Sequence, residues 1–189
     1  DLISKKRIVF LQHGITKDNI SGWLNRYNKN FSIFITSANV EYQSILNTLT
    51  YYYTKKQVKL TGFPRYDRLK NEPQKIITIM PTWRKYLMKM DGNGVWKLEA
   101  DFYESEFLKN YKELLNNKKL LDASEKYGYN IEFMPHPTLQ PHINIFSPSE
   151  KVSIADLGTS YREVYSKSNL VISDYSSAVF DFAYLKKPV

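Results

Sequence analysis

Short apolar runs ending in polar turns recur along this chain, and their period changes from strand-like to helix-like as they alternate. Ile8-Val9-Phe10-Leu11 reads as a buried strand that ends at Gln12-His13-Gly14. Residues 19–30 are polar, with Gly22 and four Asn, and read as loop. Phe31 to Thr36 is a second strand, and Ser37 is placed to cap a helix over 40–50, where Tyr42, Ile45, Leu46 and Leu49 recur at helical spacing. Val58 to Thr61 is a third strand, closed by Gly62-Phe63-Pro64, and Lys75 to Met80 a fourth, closed by Pro81. Residues 85–100 mix Lys with Leu87, Met88, Met90 and Trp96 around a glycine pair, and read as a long loop.

Phe102 to Tyr127 reads as one helix, with Phe107, Leu108, Tyr111, Leu114 and Leu115 forming its stripe and Gly128 stopping it. Asn130 to Met134 is a strand ending at Pro135-His136-Pro137, and Val152 to Ala155 is a short one. Ser160 caps a helix to Ser168. The tail then runs strand (Leu170 to Ser173), polar turn (Asp174-Tyr175-Ser176-Ser177) and helix (Ala178 to Lys186). From residue 58 onward strand and helix alternate, the pattern of a parallel, doubly wound α/β sheet. Such sheets bind ligands outside the carboxyl ends of their strands.

Composition narrows the class. An apolar fraction of 42% with 15% aromatics, over 189 residues, supports a packed globular core. The chain opens on Asp1 and stops after Lys-Lys-Pro-Val, which reads as a piece of a longer protein. It has no cysteine, which excludes disulfides and thiolate metal sites. No apolar run approaches the roughly 18–20 residues that span a bilayer. Lys and Arg outnumber Asp and Glu by 27 to 19, for a formal charge of +8. That excess serves solubility, or attraction to an anionic nucleotide, polymer or membrane surface. No nucleic-acid-binding motif is evident.

Each polar motif has a bland and a functional reading. Asp174-Tyr175-Ser176-Ser177 is ordinary helix capping, or a cradle of hydroxyls and N–H groups for a phosphate, with Asp181 one helical turn on. His136, held between two prolines, is structural, or donates to a phosphate or leaving group. His13, followed by Gly14, is an incidental turn residue, or a general base with space beside it. Arg84, after Pro81-Thr82-Trp83, is a surface arginine on an aromatic ring, or a phosphate ligand. Asp-x-Asp, His/Cys clusters, a Walker loop, a dinucleotide fingerprint and a Gly-x-Ser-x-Gly elbow are all missing, which weakens metal-dependent, dehydrogenase and serine-hydrolase readings.

Taken in order, the motifs resemble the CDP-glycerol glycerophosphotransferases of teichoic acid and capsular polymer synthesis. The resemblance rests on Gln12-His13-Gly14-Ile15 with Lys17, Gly62-Phe63-Pro64-Arg65-Tyr66-Asp67-Arg68-Leu69, Pro81-Thr82-Trp83-Arg84, Met134-Pro135-His136-Pro137, and Ile172-Ser173-Asp174-Tyr175-Ser176-Ser177 with Phe180-Asp181. It implies a GT-B-like, α/β architecture of Rossmann-type doubly wound parallel sheets. Residues 1–36 would be the end of an acceptor-side domain, and 37–189 most of a donor-binding domain truncated at its C-terminus. It implies transfer of glycerol phosphate from CDP-glycerol to a hydroxyl of a polymer or lipid-linked primer, releasing CMP. His13 and His136 would be catalytic, with Arg84, Ser176, Ser177, Asp181, Asp174 and Thr82 binding donor and phosphate. No cofactor is implied; the sequence carries no metal-ligand motif, which leaves Mg2+ open. The implied partners are CDP-glycerol, the polyol-phosphate polymer or primer, and the cytoplasmic membrane surface, where the enzyme would sit peripherally; nucleic acid is not among them. Two alternatives stand: a ribitol or other nucleotide-activated donor, and a non-catalytic domain that binds anionic polymer or membrane, motivated by the charge and the 85–96 segment.

Overall fold

The computed structural model describes residues 6–156 and 158–189. It divides into two compact units, Asp1–Leu69 and Lys70–Val189. The division falls later than the 36/37 boundary expected from sequence, because the third strand pairs with the second and carries residues 37–69 into the first unit. Residues 1–5 of the expected 1–36 segment lie outside the described residues.

The first unit runs β1 (Val9–Phe10), α1 (Ser21–Leu24), β2 (Ile33–Thr36), α2 (Asn39–Asn47), β3 (Val58–Leu60) and a 3-10 turn over Pro64–Arg68. Its strands are parallel in the order β1-β2-β3. Phe34, Val58, Leu24, Ile45 and Tyr51 close its core, each almost fully buried. The expected buried strand at 8–11 is only two residues long, and Val9 and Leu11 flanking its inward Phe10 are exposed. Ser37 does not cap α2: Ala38 holds that position, and the Ser37 N–H donates to the Glu41 carboxylate at 2.9 Å. The loop expected over 19–30 contains the single turn of α1, organised by an Asn19 side chain that accepts the Ser21 N–H.

The second unit runs β4 (Ile76–Met80), the antiparallel hairpin β5 (Met88–Met90) and β6 (Trp96–Leu98), α3 (Glu106–Leu115), α4 (Lys118–Tyr127), β7 (Asn130–Phe133), a 3-10 segment over Gln140–Phe146, β8 (Val152–Ile154), α5 (Tyr161–Lys167), β9 (Ser168–Ser173) and α6 (Val179–Tyr184). Four strands form an all-parallel sheet in the order β8-β7-β4-β9. Numbered from β4 in chain order, that is 3-2-1-4: two steps one way, then a reversal to the other side of β4. Ile77, Ile79, Ile131, Phe133, Phe102, Leu108, Leu115 and Phe146 form its core.

Two expectations fail here for local reasons. The 85–100 stretch is a hairpin, not a loop: Leu87 and Met88 are buried, and the Asp91 carboxylate accepts the N–H groups of Asn93 and Val95 around Gly94, whose φ is 79°. The single helix expected over 102–127 is two, because the Asn117 side chain accepts the Leu120 N–H and starts α4 afresh, while Ser105 caps α3. Gly128 does stop the second, in the left-handed conformation at φ 69°. Ser160 caps α5 by accepting the Glu163 N–H, as its position predicts. At the C-terminal end Lys187 is 7% exposed and its ammonium donates to the carbonyls of Tyr165, Ser166 and Ser168 at 2.5–2.6 Å. Burial lowers its pKa below the ordinary lysine range.

Candidate functional site

In a sheet ordered 3-2-1-4 the crevice lies where the chain reverses, outside the carboxyl ends of the first and fourth strands. Here those strands are β4 and β9. The loops that follow them are Pro81-Thr82-Trp83-Arg84 and Asp174-Tyr175-Ser176-Ser177, and the loop after β7, on the other side of β4, carries His136. Three of the four motifs singled out from sequence thus share one end of one sheet.

Asp174 joins the first two loops. One carboxylate oxygen, Oδ1, accepts the N–H of Thr82 at 2.9 Å and of Tyr175 at 2.7 Å. The other, Oδ2, accepts Arg84 Nη2 at 2.7 Å and the Tyr111 hydroxyl of α3 at 3.0 Å. Burial alone would raise this carboxyl, but the hydrogen bonds from Thr82, Arg84 and Tyr175 outweigh it and hold its pKa below the usual range. Burial and the adjoining carboxylate push the Tyr111 hydroxyl up, so it stays a donor at every working pH. Arg84 also donates to the Thr82 carbonyl at 2.6 Å, and its guanidinium lies 5.0 Å from the ring centres of both Phe107 and Tyr175. Beside this cluster opens a cavity of about 500 Å³, lined by Arg84, Phe107, Asn110, Tyr111, Asp174 and Tyr175 among others.

His136 is half-buried and stacks on Trp83, ring centres 5.5 Å apart and 20° from parallel. Trp83 in turn meets Trp96 of the hairpin edge-on at 4.9 Å. The Thr138 N–H donates to His136 Nδ1 at 3.2 Å, which makes Nε2 the protonated nitrogen of the neutral ring. Burial lowers the imidazole pKa and favours that neutral form.

The remaining sequence-predicted residues lie outside this cluster of contacts. The helix after the Ser pair is the six-residue α6 and has no side-chain cap, so it lacks the long aligned backbone that a dipole argument needs. Ser176 Oγ accepts the Ala178 N–H at 3.1 Å and Ser177 is exposed. Asp181 is buried, 2% exposed, rather than on an open helix face. His13 belongs to the first unit, where its exposed ring neighbours Phe10 and Trp23 at 5.6 and 6.1 Å. Its turn is pinned by Glu41 of α2, itself 2% exposed, whose carboxylate accepts Gln12 Nε2, the Thr16 N–H and the Ser37 N–H. The left-handed residue of the turn is Gln12, at φ 66°.

Sequence reasoning missed Tyr111 and Phe107 as site residues, having assigned both to a core stripe. The one available signal was a hydroxyl in an otherwise apolar helical stripe. Among the described residues no group of three or more His, Asp or Glu side chains is arranged to hold a metal ion, and no helix is long and apolar enough to cross a membrane.

Residues 8–189 match the family model described as CDP-Glycerol:Poly(glycerophosphate) glycerophosphotransferase. The minor teichoic acid biosynthesis protein GgaB of Bacillus subtilis (strain 168) is 46% identical over 184 residues, covering 96% of this chain and 20% of GgaB. The teichoic acid poly(glycerol phosphate) polymerase of the same strain is 26% identical over 165 residues, covering 78% of this chain and 20% of that protein. The chain therefore spans about a fifth of the length of these curated relatives. Among solved structures the wall teichoic acid polymerase TagF superposes with a TM-score of 0.53 at 19% identity, over 96% of this chain and 44% of TagF. That likeness establishes the fold as α/β and GT-B-like, of which this chain is a part.

Proposed function

Because the chain belongs to the CDP-glycerol:poly(glycerophosphate) glycerophosphotransferase family, we propose that its second unit binds CDP-glycerol outside β4 and β9, for transfer of glycerol phosphate to a hydroxyl of a teichoic acid polymer or primer. The observation that carries this reading is the coincidence of the strand-order reversal with the Arg84–Asp174 bridge and the adjoining cavity.

The chemistry asks for little beyond placement and charge stabilisation. The acceptor oxygen attacks the phosphorus that bears glycerol. The bond from that phosphorus to the bridging oxygen breaks, and CMP leaves with the bridging oxygen. Negative charge shifts onto the non-bridging oxygens and the departing phosphate, so fixed N–H donors aimed at them lower the barrier. Arg84 spends two of its five N–H groups inside the protein, leaving three for a phosphate. His136 offers Nε2–H as a neutral donor. Ser176, Ser177 and Thr82 edge the same loops. His13 is the residue we assign to take the proton from the acceptor hydroxyl. Both phosphate donors would serve a ribitol donor equally, so the polyol is decided by assay.

The test is calorimetric titration of the intact protein with CDP-glycerol, CDP-ribitol and CMP, beside an assay of CMP release. The expected result is micromolar binding of CDP-glycerol, and a loss of turnover of about 10²-fold in each of His13→Ala and His136→Ala. A folded intact protein that binds no cytidine nucleotide refutes the reading. Salt-sensitive binding to anionic vesicles without CMP release would replace it with a surface-binding role.

A further inference from the structure

Asp174 stands where a donor-binding residue is expected, yet its surroundings leave it nothing to bind a donor with. A carboxylate is an acceptor only, with about four acceptor positions on two oxygens. All four are taken: the N–H groups of Thr82 and Tyr175 on one oxygen, Arg84 and Tyr111 on the other. A free carboxylate lone pair facing a diphosphate would also repel it. The residues that touch Asp174 come from three separate elements: the loop after β4, the loop after β9, and α3. Each of them meets Arg84 as well, through the Thr82 carbonyl, the Tyr175 ring, or the Phe107 ring one turn before Tyr111.

We infer that Asp174 and Tyr111 are positioning residues for Arg84, and that with the Phe107–Tyr175 sandwich they hold the guanidinium in one plane with its remaining N–H groups set for the donor's phosphates. The inference rests on the donor-site reading above. The arrangement has a physical logic. A long arginine loses rotamer freedom when it grips a ligand, and an arginine already clamped has lost it before the ligand arrives. The ion pair is part-buried, with side chains 17% and 19% exposed, so its hydrogen bonds are little weakened by water. Tyr111 supplies the fourth donor, which keeps Asp174 from turning its second oxygen toward the cavity.

Asp174→Asn separates positioning from direct contact. Removing a negative charge close to a bound diphosphate would, by charge alone, tighten binding. Positioning demands the opposite, because the amide nitrogen, whichever oxygen it replaces, meets donors (the N–H groups of Thr82 and Tyr175, or Arg84) and the clamp on the guanidinium loosens. Titration of the intact protein with CDP-glycerol is expected to show binding weakened about tenfold in Asp174→Asn and about threefold in Tyr111→Phe, with KM raised in step. The Arg84→Ala and Asp174→Asn double variant is expected to bind no worse than Arg84→Ala alone, a non-additivity that a merely structural role would not produce. Tyr111→Phe keeps the ring and carries the test should Asp174→Asn fail to fold. Binding unchanged or tighter in both single variants, or full additivity with Arg84→Ala, overturns the inference. Absence of binding by the unmodified protein refutes the donor-site reading instead, so the two failures are told apart.

Discussion

Replacing Glu41 by Ala should destabilise the first unit selectively, by an amount that its hydrogen bonds set. The Glu41 carboxylate accepts the backbone N–H groups of Thr16 and Ser37, both at 2.9 Å, and the side-chain amide of Gln12 at 3.2 Å. Alanine removes the acceptor and leaves two backbone donors that cannot be rebuilt elsewhere in the turn. An unsatisfied buried donor costs about 1–3 kcal/mol, and these two are only part-buried, so the lower half of the range applies to each. The loss is therefore about 2–4 kcal/mol, with the Gln12 amide free to turn to water at little further expense. Relief of the burial of the charge itself offsets part of this, so the lower end is the firmer expectation. Of the three tryptophans, Trp23 lies in the first unit, and Trp83 and Trp96 in the second. In a background with Trp83 and Trp96 replaced by Phe, urea unfolding followed by Trp23 fluorescence reports the first unit alone. A shift below about 1 kcal/mol, or an equal loss in the second unit followed through Trp83 and Trp96 in a background with Trp23 replaced by Phe, would refute the assignment of Glu41 as the clamp on the His13 turn.

Two further outcomes follow from other residues. His136 is expected to titrate below the ordinary histidine value of about 6.5 by NMR, with its proton on Nε2 in the neutral form; since the unfolded chain then binds more protons, its contribution to stability is full above about pH 6.5 and is lost as pH falls through the lowered value. A midpoint above the ordinary value would remove the neutral-donor role. Asn117→Ala should cost about 1 kcal/mol in thermal or denaturant unfolding by deleting the cap that accepts the Leu120 N–H, while Asn117→Ser should restore most of it; an unchanged midpoint would mean α3 and α4 are separated by something other than that cap.

Much of the second unit was legible because its strands are apolar runs, such as Ile76-Ile77-Thr78-Ile79-Met80, that end abruptly at proline or at charge. The loops after β4, β7 and β9 could be read as one site from that pattern alone, since parallel strands place their carboxyl ends together. The hairpin was not read, although Met88-Lys89-Met90 and Trp96-Lys97-Leu98 each alternate with period two and Asp91-Gly92-Asn93-Gly94 is turn chemistry. Three residues per strand are too few for periodicity to speak. The long helix was overread because an apolar stripe continues through Asn117, and a cap inside a stripe has no signature distinct from an exposed polar position. The partnership of Tyr111 with Asp174 spans 63 residues, and no local rule pairs positions so far apart. Glu41 was invisible for the same reason: nothing in Asn-Val-Glu-Tyr announces a carboxylate that will be buried by a turn 25 residues earlier.

Lys187 gives this protein a chemical clock for its own opening. Its amine is shielded by burial while its protons are held by three carbonyls of the α5–β9 junction. An acylating reagent that modifies exposed lysines within seconds must wait, at this one, for the junction to come apart. Only an opening of the junction frees the amine from those carbonyls, so each modification of Lys187 is a covalent record that the junction has come apart. Mass spectrometry of the peptide that carries Lys187 would then report how often the α5–β9 junction opens, with no residue substituted.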